Sequence, residues 1–168
     1  SRARHAEKEL RQLEVDASRL RELEARNAEK KYELYRPMLE ALGDLLTPGG
    51  SERGTDRMGE LLPQFMTFVA TLGSDEVVRS FFRFRVGVRN QDAQPPAAIT
   101  MRLVSDFFIA VRNDVGVPGT TITGLEAFGM RINDIYSEQA LLDAFTMPFD
   151  ELATSVGWTP PWDDAVGN

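Results

Sequence analysis

Few residues in this chain are of a type and spacing that could do chemistry. His5 is the one histidine; it stands beside Arg4 with no second imidazole near it to share a metal or a proton. Cysteine is absent, which removes thiol catalysis and any cysteine-ligated zinc or iron–sulfur site. No phosphate loop, dinucleotide fingerprint, nucleophile elbow or HExxH string occurs, and Gly49-Gly50 reads as turn chemistry. The carboxylate pairs Asp75/Glu76, Asp150/Glu151 and Asp163/Asp164 are adjacent in sequence. On a helix such neighbours diverge by about 100° and share neither a metal nor a proton locally. The first two pairs read as partners of helix N-termini and the third as a solvated tail. Two polar groups do interrupt apolar faces: Arg112-Asn113-Asp114 ahead of Gly116, and Asn133-Asp134 between Ile132 and Ile135. The expectation is that Arg112, Asp114, Asn133 and Asp134 meet in one partly buried network, a structural device first and a ligand site second. An enzyme would have to use Asp106, Asp114 or Asp134, so the reading is non-enzymatic, with no cofactor and no metal.

The elements that would position these groups are helical throughout. Residues 1 to 36 contain neither Gly nor Pro and are mostly Ala, Leu, Glu, Arg and Lys, the strongest helix formers. Ala6, Leu10, Leu13, Ala17 and Leu20 recur at four, three, four and three, an a/d seam with charges around it; Leu23 and Asn27 follow after a one-residue slip. A lone polar helix is marginal in water, so pairing through Leu10, Leu13, Leu20, Leu23 and Asn27 is expected, with two copies the simplest assembly. Asn27 is read either as a register-setting seam residue or as an exposed Asn where arm meets head.

Past Lys31 the apolar face widens (Tyr32, Leu34, Tyr35, Met38, Leu39, Leu42, Leu45, Leu46), which marks packing on a head. Pro37 predicts a kink or a restart, and residues 47 to 55 a loop, with Thr55 or Asp56 capping the next helix. Pro63 predicts another kink or restart. Ser74 caps a helix whose Phe82, Phe84, Val86 and Val88 also alternate as a strand would. Residues 91 to 96 read as a loop. Pro95-Pro96 opens a helix closed by Gly116, and Thr123 with Glu126 forms a capping box for a helix reaching Ile135. Shorter helices follow around residues 138 to 145 and after Pro148. The expected architecture is all-α: a helical arm over residues 1 to 30, a compact multi-helix head over 31 to 157, and a tail over 158 to 168, disordered unless Trp158 or Trp162 docks.

Charge follows the same division. Residues 1 to 40 carry ten Lys or Arg against nine Asp or Glu, and residues 41 to 168 nine against seventeen, in a chain of 168 with net charge −7. That balance argues against a general nucleic-acid binder, which neutralises phosphates with clustered cations. All ten Phe fall between Phe65 and Phe149, which places the core in the head.

Several segments resemble an uncharacterised group of small bacterial proteins. They are Lys31-Tyr32-Glu33-Leu34-Tyr35-Arg36-Pro37 with Leu39, Gly73-Ser74-Asp75-Glu76-Val77-Val78, Phe84-Arg85, Ala110-Val111-Arg112-Asn113-Asp114-Val115-Gly116 and Arg131-Ile132-Asn133-Asp134-Ile135. The likeness covers about residues 30 to 136 and departs at Val86-Gly87-Val88 and after Ser137. It implies a helical head behind a transmembrane or coiled-coil portion, and brings no activity and no cofactor with it.

Together these readings predict an oligomerising interaction or scaffold module that self-associates through its N-terminal helix. Its protein partner is unspecified. The basic start Arg2, Arg4 and Lys8 suits the cytoplasmic flank of a spanning segment, so tethering to an inner membrane by residues upstream of Ser1 is expected. The alternative is a ligand-binding or sensory helical domain, for instance in phage defence or envelope signalling.

Overall fold

The computed structural model describes residues 1–89 and 94–164, and it is all-helical, with no strand among the described residues. Helix α1 runs from Arg2–Leu45, 44 residues, or about 66 Å at 1.5 Å per residue. It passes through Pro37 without a break. The carbonyl that Pro37 leaves without an amide belongs to Glu33, an exposed residue on the side of α1 away from the core. Helix α2, Ser51–Leu72, likewise continues through Pro63, and the carbonyl left over there belongs to exposed Gly59.

Helices α1 and α2 form an antiparallel hairpin. Gly54 lies against Leu45 and Ala41 at one end, while Phe68 packs edge-on to Tyr35 toward the other. The linker is shorter than the sequence suggests, because α2 begins at Ser51 rather than at Thr55 or Asp56. Close backbone approach at Gly54 is the reason: the first turn of α2 is held helical by its packing on α1, although its residues alone favour a loop.

A second antiparallel pair comprises α3, Asp75–Arg89, and α4, Ala97–Val115. The Ser74 hydroxyl accepts from the Val77 amide, as a capping residue should. The strand alternative for residues 82 to 88 is overturned. Val77, Phe81, Phe84 and Gly87 are buried at helical spacing while Phe82 is exposed, because the neighbouring α4 offers a stripe and not a sheet edge. Gly87 is needed for closeness: a Cβ there would stand 3.0 Å from Leu103. Of the predicted loop over 91 to 96, residues 91 to 93 lie outside the described set, and residues 94 to 96 lead without helix into α4.

Helix α4 is the centre of the head, touching α1, α3, α5 (Gly124–Gly129) and α6 (Gln139–Thr146). Phe65, Phe81 and Phe107 meet in edge and tilted pairs, and Phe128 stacks on Phe145. The capping box at Thr123 and Glu126 is present, but α5 ends at Gly129 and the chain turns through residues 130 to 137, still burying Ile135. Helix α7, Phe149–Ser155, stops at Gly157, whose φ of 68° suits a residue without a Cβ.

The exception allowed for Trp158 and Trp162 applies to the tail as far as residue 164. A short turn, α8 (Pro161–Asp164), carries Trp162 against Phe149 and Trp158, and Arg83 lies over the Trp162 ring. Two indoles and a phenyl ring make enough apolar contact to hold this segment down. Residues 165 to 168 lie outside the described set.

Candidate functional site

Three features stand apart from the ordinary core and surface, and the arm is the plainest. Residues 1 to 27 are exposed without exception. Leu10, Leu13, Leu20 and Leu23 keep 62%, 65%, 57% and 55% of their surface open, four leucines on one solvated helix. Eighteen residues make five turns. Leu13 therefore lies directly in line with Lys31, Ala17 with Tyr35, Leu20 with Met38 and Leu23 with Ala41. Tyr35, Met38 and Ala41 are sealed against the head and Lys31 reaches Asp114 on α4, so the leucine stripe faces the side on which the head sits. The slip at Leu23 follows the same face, since the buried part of α1 also drifts from Tyr35 to Ala41.

The second feature is a polar node where α1 meets the end of α4. Lys31 Nζ lies 3.0 Å from both carboxylate oxygens of Asp114, and the Tyr35 hydroxyl donates to Asp114 Oδ2 at 2.7 Å. Asp114 is nearly enclosed. Burial, then the hydrogen bond and negative charge of Asp114, push the Tyr35 phenol well above its ordinary range, so it stays a donor at any physiological pH. With two charge-assisted partners the carboxylate is committed to holding α1 on α4.

Of the four residues expected in one network, the structure brings only Arg112 and Asp114 to the same helix end, and their partners differ. Arg112 Nε donates to Thr120 Oγ1, and Asn113 Oδ1 accepts from the Thr120 amide, which ties down the loop after α4. Asn133 and Asp134 are exposed and make no side-chain hydrogen bond among the described residues. They lie in the exposed turn past the end of α5. Lys31 and Tyr35, the true partners of Asp114, sit four apart on one helix face; a cation and a phenol in line with Met38 and Leu42 was the signal for them.

Asp106 takes a hydrogen bond from Arg102 Nε at 3.1 Å, and Arg102 Nη1 donates to the carbonyls of Ala144 and Met147, closing the end of α6. Burial pushes the Asp106 carboxyl up while the guanidinium groups of Arg102 and Arg83 pull the other way. Beside it, the Ser105 hydroxyl is enclosed with no partner among the described residues and faces Gly124.

The third feature is a cleft of about 1580 Å³ in the elbow between arm and head. Its roof is the underside of α1 from Arg21 to Tyr32, with Asn27 on it; its floor is Phe108, Val115, Val117, Ile122 and Met130. Met130 keeps 85% of its surface open and Val117 42%, so part of the floor is bare apolar surface.

No three His, Asp or Glu side chains among the described residues are grouped to hold a metal ion. No helix among them is long and apolar enough to cross a membrane. Compared with protein-family models, with curated proteins and with solved structures, the chain gives no match.

Proposed function

We propose that this protein is a non-enzymatic self-associating module, in which the arm pairs two copies and the head presents a surface to a further protein. The observation that carries this reading is the stripe of four open leucines on 27 wholly exposed residues. Burying each would contribute roughly 1.5 to 3 kcal/mol before ordering costs. A dissociation constant near micromolar corresponds to about 8 kcal/mol, so the stripe supports association of that order. The basic first turns suit a position beside an anionic membrane face, and tethering by a segment upstream of Ser1 belongs to the same proposal. A second reading, a ligand-binding role, draws on the mostly apolar cleft in the elbow.

The test is a full chain carrying Leu13→Glu and Leu20→Glu. Both positions are exposed, so the head folds unchanged. Light scattering should show dimer for the parent at tens of micromolar and monomer for the variant; equal masses for the two would place the interface elsewhere.

A further inference from the structure

A pocket where α3, α4 and the start of α5 meet contains no residue of the arm, and it holds charge that the fold leaves unused. Its volume is about 400 Å³, inside the roughly 300 to 1000 Å³ of small-molecule sites. Arg79 and Arg83 line it from successive turns of α3, and Arg102 lines it from α4. Arg102 is committed to Asp106 and to the carbonyls of Ala144 and Met147. Arg53 and Arg57 likewise have carboxylates. Arg79 and Arg83 form no ion pair and no hydrogen bond among the described residues, although like charges one turn apart repel. The Arg83 guanidinium lies 5.8 Å from the centre of the Trp162 ring, which holds it in place beside the pocket.

Ser105 is a second, independent observation. Its side chain lines the same pocket and is 1% exposed, and its hydroxyl has no partner among the described residues. A buried hydroxyl left unpaired costs stability, which a ligand that bonds to it restores. Gly124 makes the room around that oxygen, since a Cβ there would stand 2.1 Å from it. We infer that this pocket binds a small phosphate monoester, its phosphoryl oxygens on Arg79, Arg83 and the Ser105 hydroxyl and its organic group beside Ile122 and Phe145. Two guanidinium forks and a hydroxyl offer donors from several sides, which a tetrahedral oxyanion uses more fully than a planar carboxylate does. Glu76 and Asp106 also line the pocket, so its charged side chains number three positive and two negative. Asp106 is offset by Arg102, which leaves Arg79 and Arg83 against Glu76. That surplus suits one phosphoryl group and opposes a polyanion. Inorganic phosphate alone leaves much of the volume empty.

Isothermal titration of the full chain with phenyl phosphate and with inorganic phosphate, at low ionic strength, tests the site independently of the arm. Phenyl phosphate should bind at least ~10-fold more tightly than inorganic phosphate, because its ring is buried as well. Arg79→Glu, at an exposed position with no partner to lose, should weaken that binding at least ~10-fold. Ser105→Ala should weaken it ~3-fold or more while the protein melts no lower than the parent, because the substitution removes an unpaired buried group. A purely structural role for Ser105 predicts unchanged binding. Neither phosphate binding at ~10 mM, or equal binding by the parent and both variants, overturns the site. Inorganic phosphate binding as tightly as phenyl phosphate overturns the assignment to an ester.

Discussion

Asp114 shows what one carboxylate does for this fold. It ties two helices together through a buried phenol and a half-buried ammonium, so its loss leaves both without a partner. Asp114→Ala should lower stability by about 2 to 3 kcal/mol, whereas Asp134→Ala, on an exposed turn, should stay within ~0.5 kcal/mol of the parent; urea titration separates the two. Tyr35 adds a pH dependence whose sign is fixed by its raised pKa. The unfolded chain releases the phenol proton near the ordinary value of 10.0, and the folded chain holds it. Above that pH the native state binds more protons, so stability contributed by this group falls as pH rises, by up to ~1.4 kcal/mol per unit. Tyr35→Phe should therefore lose less stability than the parent between pH 8 and pH 11, and equal losses would show that Tyr35 does not hold its proton. From sequence, Asp114 and Arg112 were legible as polar groups at a helix end. Their partners were not, because Lys31 and Thr120 are joined to them only by tertiary packing. Asn133 and Asp134 misled because a short polar pair between isoleucines looks alike whether it closes a helix face or a solvated turn.

Among the elements, the sequence announced the caps and stops most clearly: Ser74, the Thr123 and Glu126 box, Pro96 and Gly116 all lie where their local chemistry requires. The departures lie where packing overrides local preference. At Pro37 and Pro63 the helix continues and does not restart, and the start of α2 is held by Gly54. A Cβ at Gly54 would stand 2.5 Å from the Leu45 amide nitrogen, whereas nothing lies within 4 Å of one at Gly59. Gly54→Ala should thus destabilise by about 1 to 3 kcal/mol through overpacking, against the usual preference for Ala in a helix. Gly59→Ala should gain about 0.5 to 1 kcal/mol on the same helix. Thermal melts of the two variants should move in opposite directions, and a shared direction would deny the close contact between α1 and α2.

At the scale of the whole molecule, one helix does two jobs. Its last third is core, its first two thirds are solvated, and the same face serves both. That continuity places the open leucines on the head's side and creates the elbow. Division into a helical arm and an aromatic head was visible in composition, because every Phe lies beyond residue 64. The cleft was not, since it exists only once α1 overhangs α4 and α5. Self-association through the arm is the central claim, and sedimentation equilibrium of the full chain beside a chain starting at Asn27 tests it most directly. The account predicts a monomer–dimer equilibrium near micromolar for the full chain and a folded monomer for the shorter one. A full chain that stays monomeric at hundreds of micromolar, or a shorter chain that still dimerises, would contradict it.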